Sequence, residues 1–273
     1  MVSLSVSQAW NETAAFVKRE AGLLLPIALL LLAVPGAAMQ LAMPTPPAPG
    51  QTPEVGAWLL LLPVVMFASI VATVAISYLA LRPGTSVGEA LQVGLKRFLP
   101  VFLASLLIGI VAIIIMIPLA ILIMGGAIAS GNPSAAGGSI LLFGLLAIVI
   151  GIAFWVRLML MTPVAAAENV GPIALIRRSW ALTKGHFWKL LALVLLVVAV
   201  AMVVIIAVSA IVGIFVFMIA GPPEPGSTSF ILMTILSSVL SAIFSAVFVT
   251  LLARVYAQLS GSVPTEIRSS AGV

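Results

Sequence analysis

Residues 169–191, NVGPIALIRRSWALTKGHFWKLL, lie between two long apolar runs and decide how the rest of the chain is interpreted. Gly171 and Pro172 predict the start of a helix, because proline fits a first turn whose N–H groups would be unpaired. Gly185 predicts its end, directly after Lys184, whose charge suits the negative end of the helix dipole. A short basic helix placed just before an apolar run is typical of a helix that lies on a membrane surface.

Two kinds of side chain divide this predicted helix into faces. The apolar face carries Ile173, Ile176 and Trp180, and the basic face carries Arg177, Arg178, Ala181 and Lys184. The following residues, 186–189, read His-Phe-Trp-Lys and lead into the next apolar run. Aromatic residues are enriched at membrane interfaces. We therefore predict three interfacial anchors: Trp180, Phe187 and Trp188.

Composition predicts that the chain is an integral membrane protein. Hydrophobic residues make up 63% of the sequence and charged residues 7%, whereas a soluble domain carries about 25% charged residues. The net charge of +5 comes from basic residues at the ends of apolar runs, so the predicted partner is anionic phospholipid rather than nucleic acid. Cysteine and aspartate are absent. This excludes disulfides and thiolate metal sites, and we expect no metal and no cofactor.

Hydropathy predicts an all-α membrane protein with six transmembrane helices. The predicted spans are residues 21–43, 57–81, 98–128, 139–164, 187–220 and 230–259. Amphipathic stretches precede alternate spans, at residues 5–19, 86–97 and 169–184. The chain is interpreted as one polytopic domain, residues 1–273, built from three pseudo-repeated hairpins that each follow an interfacial helix. The repeat units are approximately 5–82, 86–163 and 169–259, and residues 260–273 form a short polar tail.

The distribution of charge predicts the orientation of this domain. The linkers near Pro46, Gly131 and Pro223 contain no Lys or Arg, and the basic residues lie at the opposite ends of the spans. By the positive-inside rule, both termini and all three interfacial helices are expected on the cytoplasmic side.

Three arginines stand near the ends of the returning spans: Arg82, Arg157 and Arg254. One interpretation is a ring of guanidinium groups around a pseudo-threefold axis that binds a phosphate. The other is that each side chain extends to the membrane interface, because Arg157 lies about 27 Å along a helix that starts near Ser139. We prefer the second interpretation.

Small hydroxyl residues recur at four-residue spacing in two spans. They are Ser69, Thr73 and Ser77 in the second span and Ser237, Ser241 and Ser245 in the sixth. Such stripes allow helices to approach closely and to form hydrogen bonds. The alternative is a polar pathway, but ion and proton pathways usually need an ionisable group within the membrane. The sequence places none deep inside a predicted span, so we prefer helix packing.

Glu168 and His186 are the candidates for an acid–base pair near the basic helix. A single histidine beside two aromatic residues at an interface is more typical of an anchoring residue. Because no second carboxylate and no nucleophile lie beside this pair, we predict no catalytic residues.

A resemblance to a known family rests on the same region. Arg157, Pro163 and Glu168, followed by ALIRRSWALTKGHFWKL at 174–190, are similar to the glycerophosphoryl diester phosphodiesterase membrane-domain family, as is the closing VYAQL at 255–259. The resemblance implies a small bacterial inner-membrane protein with six spans. Some members carry a soluble phosphodiesterase barrel after the membrane region, but this sequence contains no stretch that resembles it. We therefore expect topology and location to carry over, and not enzyme activity.

The leading hypothesis for function is a non-enzymatic membrane component that organises lipid or docks a partner through cytoplasmic basic residues. The candidate phosphate contacts are Arg177, Arg178, Lys184, Lys189, Arg157, Arg82 and Arg254. A homo-oligomer and an unidentified membrane-protein partner are both left open. The alternative is a transporter or lipid-translocating protein that uses the interface between the repeats. It predicts a polar cavity lined by Ser69, Thr73, Ser241 and Ser245.

Overall fold

The computed structural model describes residues 5–44, 56–129 and 133–261, and α-helices make up most of this part of the chain. The helices are α1 (Val6–Ala28), α2 (Val34–Ala42), α3 (Leu61–Leu81), α4 (Val87–Ala129), α5 (Pro133–Leu158), α6 (Met161–Ala167), α7 (Pro172–Thr183), α8 (Phe187–Ala220) and α9 (Thr228–Ser260). A π-helical stretch, Leu29–Ala33, joins α1 to α2, and a 3₁₀ turn, Ala57–Leu60, leads into α3. Most of the predicted linker near Pro46 and the predicted tail beyond Gly261 lie outside the described residues. The predicted linker at 125–138 is shorter than expected, because α4 continues to Ala129 and α5 already begins at Pro133.

Six helical segments are long and apolar enough to cross a membrane, as the hydropathy predicts. They are Val6–Ala42, Trp58–Leu81, Val87–Ile123, Gly137–Ala167, Phe187–Ala220 and Thr228–Ser260. In each predicted hairpin the two spans contact one another. The contacts between hairpins are uneven, because α1, α3 and α9 pack together whereas α5 meets α8 only weakly. The threefold repetition therefore stays a prediction.

The three predicted interfacial helices differ in how they join their spans. The first ends at Glu20, whose backbone is not helical (φ −108°, ψ 18°), directly after the predicted boundary at Arg19. The third is a separate helix, α7, ended by Gly185 at φ +86°. The second is not separate: α4 runs without interruption over 43 residues. The predicted boundary between residues 97 and 98 is wrong because charged residues alone do not end a helix, and no glycine in a left-handed conformation follows them.

Segments that are distant in sequence meet at one end of the bundle. We call the end formed by residues 5–20, 82–97, 157–189 and 254–261 the basic end, and the end where α2, α4 and α8 finish the opposite end. The backbone N–H of Ser5 donates a hydrogen bond to Gln258 Oε1 at 3.2 Å. Arg97 Nη1 donates a hydrogen bond to Asn169 Oδ1. These bonds tie the first and last helices, and α4 and the connector before α7, into one unit.

The apolar core lies largely toward the basic end. One group of buried residues surrounds the junction of α5 and α6, and a second group lies between α1, α3 and α9. The short helix α6 is mostly buried and contacts α3, α4, α7 and α9. Because α6 touches four neighbours, it connects the basic helix α7 to the rest of the bundle.

Helices α3 and α4 approach each other closely at Gly94. A Cβ atom at Gly94 would lie 2.7 Å from the carbonyl oxygen of Val71 and 3.1 Å from its Cγ1. No larger side chain fits there unless the helices separate. Small residues allow this kind of close helix contact in membranes.

Candidate functional site

The candidate site is the basic end, because all described Lys and Arg residues lie there. They are Lys18, Arg19, Arg82, Lys96, Arg97, Arg157, Arg177, Arg178, Lys184, Lys189 and Arg254. The opposite end carries Glu224 and no basic residue among those that the structure describes. The basic side chains differ in burial and in partners, and this divides them into groups with different roles.

Helix α7 packs on the bundle through a face that the sequence analysis missed. Its buried residues are Leu175, Ser179 and Thr183. Ser179 Oγ donates a hydrogen bond to the carbonyl oxygen of Arg157 at 2.8 Å, and Thr183 Oγ1 donates to the carbonyl oxygen of Ser179 at 3.0 Å. The carbonyl of Arg157 lies in the last turn of α5, where helix carbonyls lack a helical partner. The four-residue spacing of the two hydroxyl residues was the available signal.

The side chain of Arg157 lies against two aromatic rings. Its guanidinium carbon is 5.4 Å from the ring centroid of Trp180 and 5.7 Å from that of Phe187. Both distances are within the range of cation–π attraction. The Nη1 atom is buried and makes no described hydrogen bond. Arg157 therefore helps to hold α5, α7 and the start of α8 together.

Arg254 departs from the prediction that it contacts lipid phosphate at the surface. Its side chain is only 5% exposed, and its guanidinium carbon lies 4.9 Å from the ring centroid of Phe16. The structure thus places this arginine between α9 and α1, in the interior of the basic end. Its predicted position near the end of a returning span is correct, but the packing of α1 covers the side chain.

Arg82 follows α3 directly and is exposed, and its side chain contacts a residue of α3. Its Nη1 donates a hydrogen bond to the hydroxyl oxygen of Tyr78 at 3.2 Å, and its guanidinium carbon lies 5.0 Å from the Tyr78 ring centroid. Each of the three arginines therefore has its own aromatic partner. These separate partners do not favour the interpretation of a single phosphate gripped by all three.

Glu168 connects three parts of the basic end. Its Oε1 accepts hydrogen bonds from Arg178 Nε at 3.0 Å and from the Tyr256 hydroxyl at 2.8 Å. Glu168 follows α6, Arg178 lies on α7, and Tyr256 is a buried residue of α9. The sequence had offered Glu168 as a candidate acid–base partner for His186. The structure assigns its carboxylate to Arg178 and Tyr256 instead.

The neighbouring residues Arg177 and Arg178 have different environments. Arg178 makes one of the two ion pairs among the described residues, and Arg19 makes the other with Glu20. Arg177 is exposed and makes no described ion pair. Six exposed residues share this condition, and we call them the basic collar: Lys18, Arg82, Lys96, Arg177, Lys184 and Lys189.

The predicted aromatic anchors border the collar. Trp180 and Trp188 are exposed, and Phe187 is half-buried with its ring edge-on to Trp188 at a centroid distance of 5.3 Å. Exposed indole rings beside cations are typical of the membrane interface. Trp180 and Phe187, which contact Arg157, are thus also close in sequence to the collar residues Lys184 and Lys189.

The described residues offer no clustered ligands for a metal ion. In these ranges, His and Glu side chains do not form a group of three or more. The Nδ1 atom of His186 is buried without a described hydrogen bond, and His186 precedes α8 beside Phe187.

The predicted hydroxyl-lined cavity has little support in the structure. Thr73 Oγ1 donates hydrogen bonds to the carbonyl oxygens of Ser69 and Ile70 within α3, at 2.8 and 3.1 Å. Crevices between α1, α3 and α4 (about 260 Å³), between α1 and α8 (about 680 Å³) and between α4 and α5 (about 160 Å³) have mainly apolar linings. None of these three crevices includes Ser69, Thr73, Ser241 or Ser245.

The sequence matches one family model over nearly its whole length. A family model described as "Domain of unknown function (DUF7847)" matches residues 4–259. The chain belongs to this family. The matched range covers α1 to α8 completely and α9 except for its last residue. Neither the curated proteins nor the solved structures provide a significant match. The resemblance of residues 174–190 to the glycerophosphoryl diester phosphodiesterase membrane-domain family stays a prediction.

Proposed function

We propose that this DUF7847 protein is a non-enzymatic, lipid-interacting component of the bacterial inner membrane. Its basic collar binds the phosphates of anionic phospholipids in the cytoplasmic leaflet, with Trp180 and Trp188 setting the depth of the basic end. The observation that carries this proposal is the exposure of six collar cations without a carboxylate partner among the described residues.

The energetics favour an anionic surface as the partner of the collar. Each Lys or Arg near such a surface contributes about 1 kcal/mol of attraction. The cations lie on α1, α4, α7 and α8 and directly after α3 and α7, so a broad leaflet surface can contact several of them at once. A partner protein with an acidic membrane-proximal surface is the second candidate, because it would satisfy the same charges.

The proposed orientation follows from the asymmetry between the ends. The collar is at one end, and Glu224 is the charged residue described at the other. Because basic residues remain on the cytoplasmic side of inner-membrane proteins, the basic end is assigned to the cytoplasm.

A transporter has less support than a lipid-binding component. The hydroxyl of Thr73 is engaged within its own helix, and the crevices between the helices have mainly apolar linings. Such crevices suit acyl chains better than a polar solute. An enzyme has less support still, because the carboxylate of Glu168 is bound by Arg178 and Tyr256.

A double charge reversal tests the proposal. We expect Arg177→Glu with Lys184→Glu to lower the retention of phosphatidylglycerol relative to phosphatidylcholine at least tenfold, since two contacts of about 1 kcal/mol each are lost. Native mass spectrometry of the purified protein in detergent measures the retained lipids. The matched control is Arg177→Lys with Lys184→Arg, which keeps both charges and should keep the preference.

The dependence of the lipid preference on salt concentration is an independent test with the same purified protein. Because the collar is exposed, raising the ionic strength from about 0.1 M to 1 M shortens the screening length from about 10 Å to about 3 Å and should weaken the preference of the unmodified protein. A double reversal that retains phosphatidylglycerol as the unmodified protein does would contradict the lipid role. That result would favour an acidic partner protein as the ligand of the collar.

A further inference from the structure

An open, mainly apolar cleft lies between the start of α1 and the first half of α8. Its volume is about 680 Å³. It is lined by Val6, Ser7, Trp10 and Asn11 from α1 and by Leu193, Leu196, Val197 and Val200 from α8. The proposed function does not use these residues, and the basic collar does not include them.

The depth of the cleft matches part of one leaflet. Leu193 and Val197 are buried and form the floor, while Leu196 and Val200 are largely exposed and border the open side. At a rise of about 1.5 Å per residue, Leu193 to Val200 extends about 10 Å along α8. The hydrocarbon core of one leaflet is about 15 Å deep, half of the usual 30 Å. An acyl chain entering from the basic end would therefore follow the cleft through most of that leaflet.

The chemistry changes from apolar to polar toward the basic end. Lys189 precedes Leu193 by four residues, so it lies one turn nearer the basic end on the same face of α8. Lys189 is exposed and makes no described ion pair. Ser7 and Asn11 of α1 are also exposed at this end of the cleft. The site thus offers a cation and neutral polar groups above an apolar channel.

We infer that this cleft binds one anionic phospholipid molecule. One of its two acyl chains lies along Leu193 to Val200, and its phosphate lies at Lys189. The inference rests on the proposed function, since it assigns one specific lipid site to a protein proposed to contact lipids generally. A phospholipid fits better than an apolar partner helix, because a phosphate neutralises Lys189 whereas an apolar helix would desolvate its ammonium group.

Filling the cleft tests the inference with a closely matched control. Leu196 lines the cleft and is 59% exposed, and the adjacent Leu195 is 57% exposed but does not line it. We expect Leu196→Trp to lose one tightly bound phosphatidylglycerol molecule per chain and Leu195→Trp to retain it. Native mass spectrometry with increasing collisional activation counts the lipids that resist removal. Because both leucines face outward, both variants should keep the melting temperature of the unmodified protein.

Lys189→Gln tests the proposed phosphate contact of the cleft. We expect it to lower the retention of that lipid several-fold without filling the cleft. Equal lipid retention in Leu196→Trp and the unmodified protein would overturn the inference, and this result does not depend on whether the basic collar binds lipid. Conversion from a dimer to a monomer by Leu196→Trp, read from the same spectra, would also overturn it and assign the cleft to a second copy of the chain.

The two proposals fail in different ways. The proposed function fails if the Arg177→Glu, Lys184→Glu protein keeps its preference for phosphatidylglycerol. The cleft site fails if Leu196→Trp keeps the same number of tightly bound lipids as the unmodified protein. If the unmodified protein prefers phosphatidylglycerol but holds no tightly bound lipid that Leu196→Trp removes, the inference fails and the proposed function stands.

Discussion

The basic end and the opposite end of this membrane protein are built in different ways. At the basic end, α6 and parts of α3, α8 and α9 bury their side chains, and Glu168 and Arg157 find partners on neighbouring helices. Toward the opposite end, large aliphatic side chains such as those of Leu122, Leu141 and Ile219 are exposed. Because lipid is as apolar as these side chains, exposure costs little there. Packing is concentrated where polar groups need partners.

Helix α4 shows the contrast within a single element. Near the basic end it buries Ala90, Val101 and Ala104. From Ile110 to Leu122 most of its side chains are exposed. The same helix thus belongs to a packed structure at one end and to a lipid-facing structure at the other. This provides matched positions that differ in packing but not in secondary structure.

The largest expected effect comes from the packed junction of α5 and α6. Leu160 is fully buried in the core cluster there, whereas Leu141 of α5 is 76% exposed. We expect Leu160→Ala to lower the free energy of unfolding by about 2–4 kcal/mol, mainly through the cavity that it leaves. Leu141→Ala should lower it by less than about 0.5 kcal/mol, as outward-facing substitutions usually do. Unfolding in mixed micelles measures both free energies. Equal losses of unfolding free energy would show that the two ends do not differ in packing.

A smaller effect is expected from two glycines of α4. Gly94 touches the backbone of Val71, whereas a Cβ atom at Gly109 would meet no atom within 4 Å. We expect Gly94→Ala to lower the free energy of unfolding by about 1–2 kcal/mol, because overpacking outweighs the gain in helix propensity. Gly109→Ala should raise it by up to about 1 kcal/mol through that same propensity. If Gly94→Ala leaves the free energy of unfolding unchanged, α3 and α4 can separate at that point without a loss of stability.

The smallest expected difference concerns two glutamates. Glu168→Ala removes the partner of Arg178 and of the buried Tyr256 hydroxyl. We expect it to lower the free energy of unfolding by about 1 kcal/mol, a modest value because Glu168 and Arg178 are partly exposed. The control is Glu224→Ala at the opposite end, where no ion pair is described and little change is expected. If both variants lower the free energy of unfolding equally, Glu168 makes no specific contribution to the stability of the basic end.

Helix periodicity and terminal residues are sufficient to predict much of this fold. The predicted span at 187–220 matches α8, and Gly171, Pro172 and Gly185 bound α7 as expected. The uninterrupted α4 was not predicted, because the basic residues at 96 and 97 suggested a boundary, whereas the helix continues through them and through Pro100. The burial of α6 depends on contacts with four other helices, which a single stretch of sequence does not contain.

The sequence predicts which basic residues make up the candidate site, but not which of them are paired, buried or exposed. The basic residues lie together at one end, as their positions along the chain indicate. Adjacent positions do not reveal that Arg178 is paired while Arg177 is exposed, since this depends on where Glu168 lies. The burial of Arg254 likewise depends on Phe16, which is distant in sequence.

Labelling of the two ends in intact cells tests the proposed orientation of the protein most directly. The natural chain contains no cysteine, so Lys184→Cys and Glu224→Cys each introduce a single reactive thiol at an exposed position. A membrane-impermeant maleimide added from outside should label the thiol at 224 in cells with a permeabilised outer membrane. It should label the thiol at 184 only after the inner membrane is also opened. Labelling of both thiols under the same condition would contradict the account, because the basic collar and the opposite end would then face the same compartment.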